Sequence, residues 1–294
     1  MHDPAQAIGP IGVMGGAGRA GRLVLARLAA RGVPCVALVR DPRAAQGLGP
    51  GIALRATASL EPESLAAALA GLSAVACCAP VAVVPALAAA MTDPAVRLVA
   101  LGSTRRFTRF ADPAAEGVRA AEAAVLARGG ASLILHPTMI YGGRGENNVL
   151  RVAALIRRLG VLPLPGGGRS LIQPIHAEDV AACVDAALSA QPAVSGALVI
   201  AGPEPLTWAG FARAIADAAG LRVRILPVPL ALARAAAAAA RLVPGLPPVT
   251  PDELRRLLED KAFDIAPMQR QLGIIPRPLA DGLAEAFART WRRT

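Results

Sequence analysis

Lysine is all but missing from this chain: of its 31 basic residues only Lys261 is not an arginine, and tyrosine occurs once, at Tyr141. Histidine is limited to three positions and aromatic residues to 3% of the sequence, so proton-transfer chemistry has few side chains to draw on. The four cysteines, Cys35, Cys77, Cys78 and Cys183, lack metal-ligand spacing, and three of them fall in apolar runs that read as buried strands. Core packing in a reducing compartment is the expectation, with no metal site. Hydrophobic residues form 54% of the chain, largely through alanine. No run of about 18 apolar residues lacks a charge, so no membrane span is expected. The opening MHDPAQAIGP carries an acid and a proline where a secretion signal needs a basic end and an apolar centre, which points to a cytoplasmic location. The net charge of +10 is spread along the chain without a basic block or interleaved aromatics, so nucleic acid is not an expected partner.

What the sequence does contain is a regular alternation. A chain of 294 residues suits one nucleotide-binding domain with a smaller second one. Short apolar runs at Ile11 to Met14, Pro34 to Val39, Ile52 to Leu54, Ala74 to Cys78, Val96 to Leu101 and Ser132 to Leu135 alternate with helical stretches, the pattern of a parallel sheet covered on both faces. Ala20, Leu23, Val24 and Leu28 mark one helical face between the first two runs. The rhythm breaks at GGRGENN, after Tyr141. A helix over Asn148 to Leu159 then leads into VLPLPGGG, read as a rigid loop. The chain is expected to rejoin the sheet at Leu171 to Pro174, to form a helix from about Asp179, and to add a strand near Ala197 to Ala201. Helices dominate beyond Pro203, one of them starting at the capping box Thr250, Pro251, Asp252, Glu253. The alanine-rich stretch Leu230 to Leu242, with only Arg234 and Arg241 on a polar face, is expected to pack as an interior or lid helix. The expected division is 8–145 with 171–201 for the nucleotide domain, and 146–170 with 202–294 for the smaller domain.

The segment IGVMGGAGRAG places glycines directly after a strand and at the start of a helix. Gly15 suits the sharp turn, Gly18 lets a pyrophosphate approach the backbone, and Gly21 allows close helix packing. Gly16 and Ala17 lie within the turn, and the amides around Arg19 and Ala20 face the phosphates at the helix N-terminus. The fold class that follows is α/β: a doubly wound parallel Rossmann sheet with a smaller, mostly helical C-terminal domain, binding NAD or NADP. The second strand ends at Arg40, where an acid would bind the ribose 2′-hydroxyl of NAD; arginine there suits the 2′-phosphate of NADP, unless Asp41 ties it up. NADP is preferred, NAD the alternative.

These residues resemble the extended and atypical short-chain dehydrogenases/reductases, which include nucleotide-sugar epimerases and dehydratases. The likeness spans nearly the whole chain, through the glycine frame, LVALGST, ILHPTMIYGG, QPIHAEDVA and DKAFDIAPMQRQLG, and through QPIHAEDVA it extends to the complex I accessory subunit of this fold. The resemblance implies a catalytic serine or threonine at Ser103 or Thr104, cofactor contacts at Ala79, Pro80, Ser103 and Pro137, and a nicotinamide lying along His136 to Ile140. The family's tyrosine and lysine are not matched: Ala115 and Arg119 occupy the two positions. His136 then stands as the replacement acid-base group, or as a strand-end histidine that only makes hydrogen bonds. His176, Glu178 and Asp179 form a second cluster, with helix capping the alternative for the acids. Arg105, Arg106 and Arg109 either grip an anionic substrate or form a solvated loop. Two functions follow: an oxidoreductase or epimerase/dehydratase on an anionic, nucleotide-sugar-like substrate, or a non-catalytic NAD(P)H-binding sensor or scaffold with a protein partner.

Overall fold

The computed structural model describes residues 9–143, 148–240, 254 and 257–290. The capping box at Thr250 to Glu253 and the middle of GGRGENN lie outside the described residues. The described chain falls into two compact units. The first lies within Met1–Pro137, Ala177–Ile200 and Ala266–Ile274, the second within Thr138–His176, Ala201–Ile265 and Ile275–Thr294. Relative to the boundaries drawn from sequence, 138–143, 171–176 and Ala201 fall in the second unit and Ala266–Ile274 in the first.

The first unit is built on strands β1 (Ile11–Met14), β2 (Cys35–Val39), β3 (Ile52–Ala56), β4 (Ala74–Cys77), β5 (Arg97–Leu101), β6 (Ser132–Pro137) and β11 (Gly196–Ile200). They form a single sheet in the order β11-β6-β5-β4-β1-β2-β3, and every pairing is parallel. β1, β2 and β4 are buried at every residue, which is why they read as unbroken apolar runs and not as alternating ones. Helices α2 (Pro62–Leu69), α3 (Val84–Ala90) and α4 (Pro113–Arg128) share one apolar cluster with Leu38, Val75, Leu98 and Ile134. Helices α1 (Arg19–Ala30) and α6 (Ala177–Ser189) pack on each other, and strand residues of the opposite parity, Val13, Ala37, Val99 and Leu133, are buried as well. Between β1 and β4 the strand order reverses, so the connections leaving their carboxyl ends run opposite ways and open a crevice.

In the second unit α5 (Asn148–Leu159), α7 (Trp208–Ala219) and the helix Leu279–Thr290 enclose Tyr141, Ile156, Phe211, Ile215 and Phe287. α7 is capped by Thr207, whose Oγ1 accepts from the Gly210 amide at 3.0 Å, and it ends on left-handed Gly220. Two expectations are corrected here. VLPLPGGG is not a loop, since β8 (Val161–Pro165) pairs in parallel with β13 (Arg224–Val228). Its prolines donate no ladder hydrogen bond, and a two-stranded ribbon tolerates that. Nor does Leu171 to Pro174 rejoin the large sheet. β9 (Leu171–Ile172) pairs with β12 (Leu206–Thr207), and β10 (Ile175–His176) with β7 (Ile140–Tyr141), Pro174 separating the two short ladders. Buried Gln173 joins the pieces: its amide donates to the Gly202 carbonyl and its oxygen accepts from the Phe263 amide, both at 2.8 Å. The alanine-rich helix, α8 (Leu230–Ala240), buries Ala233 but leaves Leu232 61% exposed. No described helix is long and apolar enough to cross a membrane.

Candidate functional site

The turn after β1 is shaped by what would happen if its glycines had side chains. Gly15 has φ +75°, and a Cβ there would lie 2.7 Å from the Ala79 amide nitrogen, so this turn and the loop after β4 meet backbone to backbone. A Cβ at Gly21 would overlap the Gly15 carbonyl oxygen, and one at Gly16 would come within 2.9 Å of Ala37 and Leu25 side-chain carbons. Gly18 differs from these three. It is the extended N-cap of α1 and offers no side chain to the first-turn amides, while a Cβ there would stand 3.1 Å from the Gly15 oxygen, a tight but bearable contact. The helix thus opens on uncapped amides around Arg19 and Ala20, the arrangement that attracts a pyrophosphate. Arg22 fixes the turn from behind: its Nε donates to the Ala17 carbonyl at 2.9 Å and its Nη2 to Gln46 at 3.1 Å. Sequence reasoning passed over Arg22, although its place one helical turn after Gly18 was a usable signal. Ala79 and Pro80 begin the loop opposite, tied in where the Cys78 amide donates to the Met14 carbonyl at 2.9 Å.

At the end of β2, Arg40 is exposed and has no ion-pair partner among the described residues. Asp41 is engaged elsewhere, its Oδ1 accepting from the Arg43 amide at 2.9 Å to cap the short turn Pro42–Ala45.

Loops after β5 and β6 form a closed network. The Ser103 amide donates to His136 Nδ1 at 3.1 Å, which places the proton of a neutral imidazole on Nε2. Nε2 in turn lies 2.9 Å from Glu122 Oε2, a close contact that becomes an ion pair only when the ring is protonated and that is not a well-aligned hydrogen bond. Glu122, reaching over from α4, pairs also with Arg106. His136 is 1% exposed. Burial is the largest influence on it and holds its pKa below the ordinary 6.5; Glu122 works against that shift and Arg106 with it. Gly102 makes the room, since a Cβ there would stand 2.5 Å from Nδ1. Both ring nitrogens face protein groups. Thr104 is buried and donates its hydroxyl proton to the Pro137 carbonyl at 3.2 Å. Ser103 Oγ accepts from the Arg105 amide at 3.1 Å and so keeps its own proton for another partner.

The arginines of this loop are also paired within the protein. Arg105 meets Asp112 at 2.9 Å and Arg106 meets Glu122, so neither is an open anion grip. Arg119 donates to the Arg106 and Thr108 carbonyls, at 3.2 and 3.3 Å, and fastens the loop to α4. Ala115 is fully buried in that helix. In the second unit Tyr141 is 1% exposed, stands edge-on to His176 with ring centroids 5.2 Å apart, and would clash at its hydroxyl with any Cβ at Gly282. Glu178 and Asp179 lie in the first turn of α6. All four cysteines are free, and burial pushes the Cys77 thiol up to about 11.

Residues 15–191, from the first glycine of the turn to the end of α6 and beyond, match the family described as NAD(P)H-binding. The chain belongs to that family. Its cofactor is NAD(P), and the glycine turn just described opens the matched segment. No curated protein sequence matches the chain. Among solved structures, an NADPH-dependent quinone oxidoreductase from Escherichia coli, complexed with NADPH, superposes with a TM-score of 0.74 at 22% identity, covering 94% of this chain and 99% of that one. The Citrobacter sp. triphenylmethane reductase complexed with NADP(H) gives 0.74 at 20% identity, with 94% and 99% covered. A UDP-N-acetylglucosamine 4-epimerase from Bacillus cereus gives 0.71 at 16% identity, with 96% and 99% covered. The neighbours of this NAD(P)H-binding chain are thus reductases and epimerases of the extended short-chain dehydrogenase/reductase type, and at such identities the likeness establishes the fold.

Proposed function

We propose that this protein is an NADPH-dependent reductase whose acceptor is a conjugated, quinone-like compound, and not an epimerase or dehydratase. The observation that carries the reading is the enclosure of His136, 1% exposed with Nδ1 accepting from the Ser103 amide and Nε2 against Glu122, beside the buried Ala115, which the family resemblance puts at the tyrosine's position. Moving hydride on or off a sugar carbinol requires a base for the hydroxyl proton, a contribution of about 10²–10⁴ in rate. A conjugated acceptor has no such requirement, because the anion left after reduction is delocalised. NADPH, when bound, supplies a hydride and leaves as NADP⁺, while the reduced acceptor takes its proton from water. The glycine turn from Gly15 to Gly21 holds the pyrophosphate, Arg40 the 2′-phosphate, and Ser103 offers its hydroxyl proton to an acceptor oxygen. Two of the solved neighbours, a quinone oxidoreductase and a triphenylmethane reductase, act on acceptors of this kind. The pairing of Arg105 and Arg106 with acids argues against an anionic substrate.

The test is NADPH oxidation with 1,4-naphthoquinone beside UDP-sugar epimerisation. Quinone turnover without epimerisation is expected. Tight NADPH binding with no turnover of any conjugated acceptor would instead favour a sensor in the cytoplasm, a reading that the burial of His136 and Thr104 suits. For His136→Gln, turnover is expected to stay within about threefold of the parent, against the loss of about 10²–10⁴ that an acid-base group would show. A loss of that size would restore His136 as the proton donor. For Arg40→Asp, the preference for NADPH over NADH should fall by about ten- to a hundred-fold, the worth of one charged hydrogen bond. An unchanged ratio of the two dissociation constants would remove Arg40 from the 2′-phosphate site.

A further inference from the structure

The loop after β5 reads TRRFTRF from Thr104 to Phe110, and its charges and rings are treated differently. Arg105 and Arg106 are paired with Asp112 and Glu122, and Arg119 holds the loop's carbonyls. Besides Arg109 and the partly exposed, acid-paired Arg105 and Arg106, the loop presents two rings to solvent: Phe107 is 41% exposed and Phe110 40%, in a chain with five phenylalanines. The Phe107 ring also has neighbours that restrict it. The Arg106 guanidinium lies over it, 4.7 Å from the centroid, and His136 meets it edge-on at 6.3 Å. A ring restricted by such contacts loses less entropy on stacking against a ligand than an unsupported one. Its loop leaves the sheet at the carboxyl end of β5, the same edge from which the glycine turn leaves β1, and ligands of such sheets bind at that edge.

We propose that Phe107, backed by Arg106, and Phe110 three residues on form the seat of a planar, electron-poor aromatic acceptor, and that Phe107 sets the preference for ring-bearing substrates. The inference rests on the reductase reading above and deepens it. A phenyl face carries the negative part of the ring quadrupole, so it favours an electron-deficient ring over an electron-rich one. Arg105 and Arg106 of this loop already face carboxylates, so they offer an anionic sugar less than open guanidinium groups would.

The experiment separates seat from turnover. Protein loaded with NADP⁺, which cannot reduce the ligand, is titrated with 1,4-naphthoquinone, and protein loaded with NADPH is assayed with the same quinone. Phe107→Leu keeps apolar bulk without a ring, and Phe107→Tyr keeps the ring. Phe107→Leu should weaken quinone binding and raise its KM about three- to ten-fold, the worth of one aromatic pair, with the NADPH dissociation constant unchanged; Phe107→Tyr should bind as the parent does. Equal quinone affinity in the parent and Phe107→Leu overturns the seat, and so does an absence of saturable binding to the parent. Binding that Phe107→Leu weakens, without turnover in any form, upholds the seat and sinks the reductase reading. Turnover with an unchanged KM does the reverse.

Discussion

Replacing Gly18 by aspartate is expected to abolish NADPH binding while leaving the fold intact or slightly more stable. The two effects come from one geometry. Gly18 is the N-cap of α1, already extended at φ −75° and ψ 170°, and lacks a capping side chain. Aspartate is among the best N-caps, a few tenths of a kcal/mol better than glycine, and the 3.1 Å contact its Cβ would make with the Gly15 oxygen needs only a small adjustment. The introduced carboxylate then occupies the place where the helix would receive pyrophosphate. Two like charges about 4 Å apart at an effective dielectric of about 20 repel by about 4 kcal/mol, or roughly a thousand-fold in affinity. Calorimetric titration with NADPH, run beside thermal unfolding, checks both halves. Retained affinity would mean that the phosphates do not lie on α1, and a collapse of Tm would mean that the loss reports misfolding. Gly15 gives no such separation, because its positive φ and its approach to Ala79 bar any side chain.

The first unit was legible in the sequence because its signals are local. β1, β2 and β4 are buried at every residue and most of the apolar runs begin or end next to a glycine, proline or charged residue, while β3, which has no buried residue, is marked by Gly51 before it. Strand bounds read from the sequence accordingly fall within a few residues of those observed, from Ile11–Met14 to Gly196–Ile200. In the second unit four of the described strands have two residues each and the five-residue β8 and β13 pair only with each other and are partly exposed, so their hydrophobic pattern is weak. The two prolines of VLPLP argue for a loop unless the partner strand, Arg224–Val228, is known. The glycine turn was readable because its glycines are close in sequence and answer contacts around one turn: Gly15 with the loop after β4, Gly21 with Gly15, and Gly16 with Ala37 and Leu25.

The network around His136 was not readable, because its members come from 102–106, from Glu122 in α4 and from the last strand-end of β6. Glu122 is a glutamate on a helix rich in alanine, with nothing in its neighbours to mark it. Only the packing of α4 against the loop after β5 turns it inward, to 8% exposure. Likewise Arg105 and Arg106 read as open charges, since the acids that pair with them lie 7 and 16 residues away in sequence.

Removing Glu122 should therefore be the most damaging substitution to stability among those considered. Breaking a buried ion pair by deleting one partner usually costs about 3–5 kcal/mol. Arg106 keeps 31% of its side chain in water, so solvent relieves part of the loss and about 2–3 kcal/mol is expected for Glu122→Ala. The pH dependence gives a second readout with a definite sign. In the folded protein the pKa of His136 lies below its ordinary 6.5, so below that value the unfolded chain binds more protons than the folded one. The stability contributed by the neutral, buried ring is thus fully present above about pH 6.5, the unfolded value, and is lost as pH falls from there through the folded pKa. Without Glu122, the influence that raises the histidine's pKa disappears, so the loss should extend further into acid. With His136→Gln this portion of the acid loss should vanish. Thermal unfolding of the three proteins between about pH 7.5 and pH 5 distinguishes the cases, the lower limit chosen because ordinary carboxylates begin to titrate below it. If Glu122→Ala matches the parent in both Tm and pH profile, the contacts of Glu122 with His136 and Arg106 do not hold the loop. The placing of the Phe107 ring, which depends on Arg106 lying over it, would then lose its physical basis as well.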